Sequence, residues 1–428
     1  MTTAYLIEWV IIMMILSSPS LAVLSYQETY NSSEGTIRIL VIVNSSIYDA
    51  LYDPSLKQYI EDLEAEDYKV TLVKYEKGTS QELKDYFKLF EGLKGVIFIG
   101  DLPVPYFEIE NDFGGYGYQK FPIDLFYMDL DGIWEDEDNN GIYDTHTGNL
   151  SPEIWLGRLT ASPLQVPSMD EIALLRNYFN KNYTYRRGNF SIKHRGLYYP
   201  DDDWSHMFGH LDKAYSDVTV INDKTTTTAP DYKNRLKENY EWIHVCVHSS
   251  PRSHWFGGGA NSEVPWRDIH KIDPVTLFYN LFACSNCEYT ISNYMGGHYI
   301  FAKTHGLAAV GSTKIGSMLF FDNFYTPLGR ESRENLGEAF RRWFSKIEFN
   351  SMIWKSWFYG MTVLGDPTLS LDPPIASIDS KPSSPIPHGN QVKFTGSGKI
   401  RQGEIIAYSW RSSKDGFLSS DSSFSTSS

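Results

Sequence analysis

Short, wholly apolar segments alternate with amphipathic ones through the first hundred residues. Residues 36–44, TIRILVIVN, read as a strand buried on both faces. Residues 54–66 place Leu56, Tyr59, Ile60 and Leu63 at helical spacing, YKVTLVKY (68–75) reads as a second strand, and residues 80–91 carry Leu83, Tyr86, Phe87 and Phe90 on one helical face. GVIFIGD (95–101) is a third strand, stopped by Pro103 and Pro105. Strand, helix, strand, helix, strand predicts a parallel sheet covered on both sides. A loop-rich stretch follows from 106 to about 165. The alternation then resumes, with helices expected at 170–182, 205–215, 229–240, 298–306 and 335–347. Strands are expected at HRGLYYP, VTVIN, EWIHVCVH, LFYNLFAC, LAAVGSTKIG and MTVLGDPTLSL. The expectation is α/β architecture: two α/β/α units in tandem, 36–165 and 166–372, the second with its own sheet. Past Pro373 the helix signal fades, and QVKFTGSG and EIIAYSWRSS suggest a β-sandwich over 375–428.

Two strand ends carry chemistry. EWIHVCVHSS ends its alternation on His248, and LFYNLFACSNC ends an apolar run on Cys284. Reactive residues gather beyond the carboxyl ends of parallel strands, and 35 residues between the two leave room for a loop, a helix and a strand. A thiolate attacks a carbonyl while an imidazole moves the proton, so Cys284 as nucleophile and His248 as acid/base form a workable dyad. Ser249, Ser250 and the glycines 257–259 offer backbone N–H groups for an oxyanion. Other readings compete. A strand histidine can be a hydrogen-bonded core residue, and a free cysteine often fills space. His244, His248, His254, Cys284 and Cys287 are conceivable zinc ligands. Cys284 and Cys287 form a C-x-x-C pair that suits thiol redox chemistry or a disulfide. All three cysteines of the chain lie in these two segments.

The segment 129–148 is acidic. Asp136, Asp138, Asn140, Gly141 and Asp144 follow D-x-D-x-N-G-x-x-D, alternate hard-oxygen ligands around a glycine turn, with the Ile142 carbonyl as a further donor. Thr147 stands where a hand-type loop ends on an acid, so Asp129, Asp131 or Glu153 are candidates to complete the shell. The cation expected is Ca2+, in a structural role.

The net charge of −15, with scattered basic residues, argues against nucleic acid as a partner. Residues 9–16, WVIIMMIL, followed by small Ser20 and Ala22, resemble a signal peptide over 1–22, although no basic residue precedes them; a secreted or cell-surface location follows. No other segment is apolar for long enough to span a membrane. Asn31, Asn44, Asn182 and Asn189 head N-x-S/T triplets.

Taken together, WIHVCVHS, LFYNLFAC, GLAAVGST and LGDPTLSL, with GVIFIGDLPVPYF and LSPEIWLGRLTASP ahead of them, resemble the gingipain-type cysteine peptidases, relatives of caspases and legumains. The likeness covers about 36–372. It implies a caspase-like catalytic subdomain, peptide-bond hydrolysis with protein or peptide substrates, His248 as acid/base, Cys284 as nucleophile, and the N–H groups of Ser249 and Cys284 as oxyanion donors. Ser249 stands where the family has glycine. The alternatives are a catalytically silent relative that binds partners at a cell surface, and a zinc or thiol-redox protein. Asp268 and Asp273 are the carboxylates considered for a side-chain pocket. The 375–428 tail resembles the first strands of a polycystic-kidney-type repeat.

Overall fold

The computed structural model describes residues 24–427, apart from 258–261, 330–331, 350, 374, 384–385, 401–403 and 413. The expected signal peptide therefore lies outside the described residues. Among the described residues no helix is long and apolar enough to cross a membrane.

Eleven strands form one sheet. In chain order they are β1 (Ser25–Asn31), β2 (Ile37–Asn44), β3 (Tyr68–Lys77), β4 (Leu93–Ile99), β5 (Trp155–Leu159), β6 (Gly196–Pro200), β7 (Val218–Val220), β8 (Trp242–Cys246), β9 (Phe278–Phe282), β10 (Ala308–Ser312) and β11 (Met361–Gly365). Their spatial order is β1-β3-β2-β4-β5-β11-β10-β9-β8-β6-β7. The expected α/β sandwich is present, but the second half does not have a sheet of its own. The halves join edge to edge where β11 pairs with β5 in parallel, at Leu364 and Arg158. The strand direction reverses one strand beyond that seam, where β11 runs antiparallel to β10.

Burial on both faces follows from the strand sequences. Leu40 and Ile42 of β2 enter one hydrophobic layer with Phe87, Phe98 and Trp343. Ile39, Val41 and Val43 enter the other with Leu63, Trp155 and Tyr178. Helices cover both faces. Helix Ser80–Phe87 starts with a capping box in which Thr79 and Glu82 exchange backbone hydrogen bonds. Helix Glu171–Arg186 is capped by Asp170, which accepts the Ala173 N–H.

Several elements differ from expectation. The stretch 106–165 contains two hairpins, Tyr106–Ile109 with Gln119–Pro122 and Ile133–Glu135 with Thr145–Thr147, and then the central strand β5. That strand holds Gly157 and Arg158, so its pattern is broken. Arg158 is tolerated there because its guanidinium pairs with buried Asp124 at 2.7 Å. The expected helix at 205–215 is only a 3-10 turn, Leu211–Lys213, entered through His210 with φ +52°. The helix expected at 298–306 runs Met295–Ile300 and ends well before Gly306. Asn182 is buried and donates to Asp366, which removes it as a glycosylation acceptor.

The tail forms a three-stranded sheet, Ile375–Ser380, Gln391–Lys399 and Ser423–Ser427, and a hairpin of Trp410–Ser412 with Gly416–Ser419. Phe394, Trp410 and Phe424 make a small aromatic core. It leans on the α/β body through an Arg411–Glu34 ion pair.

Candidate active site

β8 and β9 are adjacent and parallel, with Cys246 opposite Phe282. The Val247 N–H donates to the Phe282 carbonyl at 3.0 Å, which extends the pairing by one residue. His248 and Cys284 are the next residues but one after that opposed pair. Both therefore leave the same edge of the sheet at the same level. The first residue after β6, Asp201, donates its N–H to the Cys246 carbonyl at 2.8 Å. β6 is flanked by β7 on one side and β8 on the other, so successive strands depart in opposite directions there. Such a reversal opens a crevice beyond the strand ends, and the acidic turn 201–203 faces His248 across it.

His248 begins a short strand, His248–Ser250, paired antiparallel with Ser253–Trp255. Its Nε2 is 2.8 Å from Asp203 Oδ2. Both side chains are more than half exposed, so the contact adds little stability; it fixes how the ring points. The Trp204 ring lies 4.5 Å from the imidazole and 5.7 Å from Phe282. Sequence reading missed Asp203. The DDD run after a strand was visible, but only the order of β6, β7 and β8 shows that it meets His248.

Cys284 is half-buried and starts a turn through Cys287. Ser285 takes φ +56°, a left-handed conformation that costs a non-glycine residue about 1 kcal/mol or more. The turn is held by three bonds: Asn286 Nδ2 to the Ala283 carbonyl (2.7 Å), Ser285 N–H to the Lys314 carbonyl (2.8 Å) and Cys287 N–H to the Ser312 carbonyl (3.0 Å). Burial pushes the Cys284 thiol above the ordinary cysteine range; the Gly316 backbone and the Lys314 ammonium pull it back, while Asp112 adds to the rise. Lys314 and Asp112 are themselves a fully buried ion pair at 2.7 Å.

Ser249 sits in extended pairing with His254, outside the left-handed region, so its side chain costs the backbone nothing where the family has glycine. Its Oγ donates to the Ser253 carbonyl. Gly258 and Gly259 lie outside the described residues.

The other cysteine and histidine candidates do not gather at this edge. All three cysteines are free thiols. Cys287 is fully buried against Gly296 and Gly311, where any Cβ would fall within 3 Å of its sulfur. His244 contacts Cys246 inside the core, and His254 is held by Ser249 and Tyr299. Among the described residues the groups of close metal-binding side chains contain only carboxylates. Asp268 pairs with Lys233, and Asp273 accepts the Thr304 N–H before β9 begins, at the end of the strand opposite Cys284. Two clefts of about 570 and 830 Å3 lie against the C-terminal β segment, and neither is lined by His248 or Cys284.

The acidic loop closes as a turn on its own backbone. Asp136 accepts the N–H groups of Asn140 and Gly141, and Asn140 Oδ1 accepts that of Ile142. Asp138 and Asp144 come within 4.8 Å of Glu108, a residue on the Tyr106–Ile109 strand that the sequence did not nominate. Asp144 Oδ1 is buried without a hydrogen-bond partner. Asp129, Asp131 and Glu153 do not complete this shell; they form a separate group. Within it Asp129 is committed to His146 at 2.5 Å and to the Gly132 N–H.

No curated protein matches the chain. A family model, peptidase family C25, matches residues 32–372. That span takes in ten of the sheet's eleven strands, β2 to β11, and both strand ends described above, so this chain belongs to peptidase family C25, the gingipain family of cysteine peptidases.

Proposed function

We propose that this chain is an exported cysteine endopeptidase working through His248 and Cys284. The observation that carries the reading is the shared level of the two residues on adjacent parallel strands, with Asp203 orienting the imidazole. Asp203 engages Nε2, which leaves Nδ1 to take the thiol proton. The sulfur then forms a bond to the scissile carbonyl carbon, and the negative charge moves to the carbonyl oxygen. The Cys284 and Ser249 N–H groups are the donors suited to that oxyanion. His248 returns the proton to the leaving amine as the C–N bond breaks. Water, deprotonated by the same imidazole, releases the acyl group and restores the thiol. The raised thiol pKa fits an attack assisted by a base, since it leaves the resting sulfur protonated.

The 136–144 loop with Glu108 suits Ca2+. Its carboxylates are hard oxygen donors, and the unpartnered Asp144 oxygen is the kind of atom a cation would satisfy. The ion would supply charge neutralisation and rigidity to the loop. The apolar run 9–16 and the small residues after it support export. The likeness of the tail to a polycystic-kidney-type repeat supports a spacer role.

The test is hydrolysis of a denatured protein substrate by the wild type, Cys284→Ala and His248→Ala. Both variants are expected to lose at least a thousandfold in rate while melting within a few degrees of wild type. Turnover retained by Cys284→Ala would refute the assignment.

A further inference from the structure

We propose that the smaller cleft, of about 570 Å3, between the edge of the sheet and the C-terminal β segment is a binding site for an uncharged oligosaccharide. The inference does not depend on the peptidase reading, because no residue lining the cleft comes from the His248 or Cys284 segments. One wall is helix Lys57–Ala65, whose Lys57, Ile60, Glu61 and Glu64 fall on one face at i, i+3, i+4 and i+7. The floor is Leu72 of β3, which pairs with Tyr30 of the edge strand β1. The other wall is the hairpin of Trp410–Ser412 with Gly416–Ser419, pinned by the Arg411–Glu34 ion pair. A cleft of this volume is of the size that holds small-molecule ligands. Placed away from His248 and Cys284, it tethers the chain to a glycan without filling the crevice between them.

Two features select the ligand. The first is aromatic surface. Tyr30 and Tyr52 line the cleft, each 38% exposed, and both rings are held in place. Tyr30 donates its hydroxyl to Glu64 Oε1 at 2.6 Å, and the Tyr52 ring stacks on Tyr48 at 5.6 Å. A fixed ring offers a flat apolar face at little entropic cost, which matches the C–H face of a pyranose. The second is charge. Glu34, Glu61 and Glu64 stand against Lys57, Arg411 and Lys414, so the lining has no net charge. An anion entering it meets the carboxylates and a cation meets the basic groups, and neither recovers its hydration from a balanced field. A sugar hydroxyl both donates and accepts, so it uses a carboxylate and an ammonium together. Groups remain for this. The side chains of Lys57, Glu61 and Lys414 are exposed and make no hydrogen bond or ion pair among the described residues. The chain's net charge of −15 adds repulsion against acidic glycans.

The experiment titrates the full chain by calorimetry with cellohexaose, maltohexaose, mannohexaose and N-acetylchitohexaose. A heparin hexasaccharide and an uncharged hexapeptide of alternating glycine and serine serve as comparisons. At least one neutral hexasaccharide is expected to bind with a Kd of about 1 mM or tighter, and at least tenfold more tightly than either comparison. Tyr52→Ala is expected to weaken that binding at least tenfold. Lys57→Ala and Glu61→Gln alter exposed side chains with no partner in the fold, so they test the cleft even if Tyr52→Ala unfolds; each is expected to weaken binding at least threefold. Hydrolysis of a denatured protein is expected to be unchanged in Lys57→Ala and Glu61→Gln. Binding confined to heparin or to the peptide, binding unchanged in Lys57→Ala and Glu61→Gln, or no binding by any of the neutral sugars overturns the inference. Each of these results leaves the roles of His248 and Cys284 standing, since neither residue lines the cleft.

Discussion

Cys284 and its neighbours set the chemistry at the residue scale. A thiol raised by burial is a poor resting nucleophile, so its reactivity has to come from His248 and from the N–H groups around the turn. Alkylation by a small neutral reagent such as iodoacetamide should therefore climb about tenfold per pH unit from pH 7 and keep climbing past the range of an ordinary cysteine. The protonated form is favoured in the fold, so the thiolate fraction grows only as pH rises. A rate already level between pH 5 and 7 would mean a preformed thiolate–imidazolium pair and would contradict this account. The sequence carried His248 and Cys284 in full, because a strand pattern that stops on a reactive residue is visible in one dimension. Asp203 and Glu108 were not legible. Each acts through a partner more than thirty residues away, and only the fold brings the pair together.

Elements explain what the sequence showed and what it hid. β2, β3, β4, β8, β9, β10 and β11 were readable because their apolar runs are buried on both faces. β5 was not, because Gly157 and Arg158 interrupt five residues. Gly157 is required by contact with Pro367, where a Cβ would lie 2.4 Å from the ring, and Arg158 is neutralised by Asp124. The 205–215 segment has apolar residues at helical spacing, but Gly209 lies against the Tyr198 ring and His210 turns left-handed. Close packing there overrides local propensity. The 136–144 loop belongs to this scale too. Its own side chains cap its backbone, and three carboxylates still converge on one point. Removing divalent cations with a chelator should lower Tm, and adding back Ca2+ in excess should restore it, by RT ln(1 + [L]/Kd). Melting curves that superimpose with and without chelator would count against a bound cation.

At the scale of the whole molecule, one sheet spans both halves, and its seam at β5 and β11 is tied by buried polar networks. Arg186 joins Glu66 and Asp366 across the halves, and Asp124 accepts from Arg158, Tyr289 and Thr362. Buried histidines make such a body acid-sensitive. His244, His254 and His298 are each held neutral by burial, with pKa values lowered to about 3. Below about pH 6.5 the unfolded chain takes up protons at these sites that the folded one refuses, so stability falls as pH falls. Each of the three contributes about 1.4 kcal/mol per pH unit in the window between pH 6.5 and 3. Urea unfolding midpoints should drop steeply between pH 7 and 5, and replacing His298 with Gln should flatten the slope. A midpoint constant over that range would show that the imidazoles ionise within the fold. The division into two sheets, expected from the sequence, failed for a reason at this scale: the strand that bridges them is the one whose pattern is broken.

The central claim is that adjacent parallel strands deliver an imidazole and a free thiol to act on one substrate. Its most direct measurement is the site and rate of covalent modification by a peptidyl ketone, mapped by mass spectrometry in the wild type and in His248→Ala. The account predicts modification confined to Cys284, slowed at least a hundredfold without the imidazole. Equal labelling in the two proteins, or modification spread over Cys246 and Cys287, would contradict it.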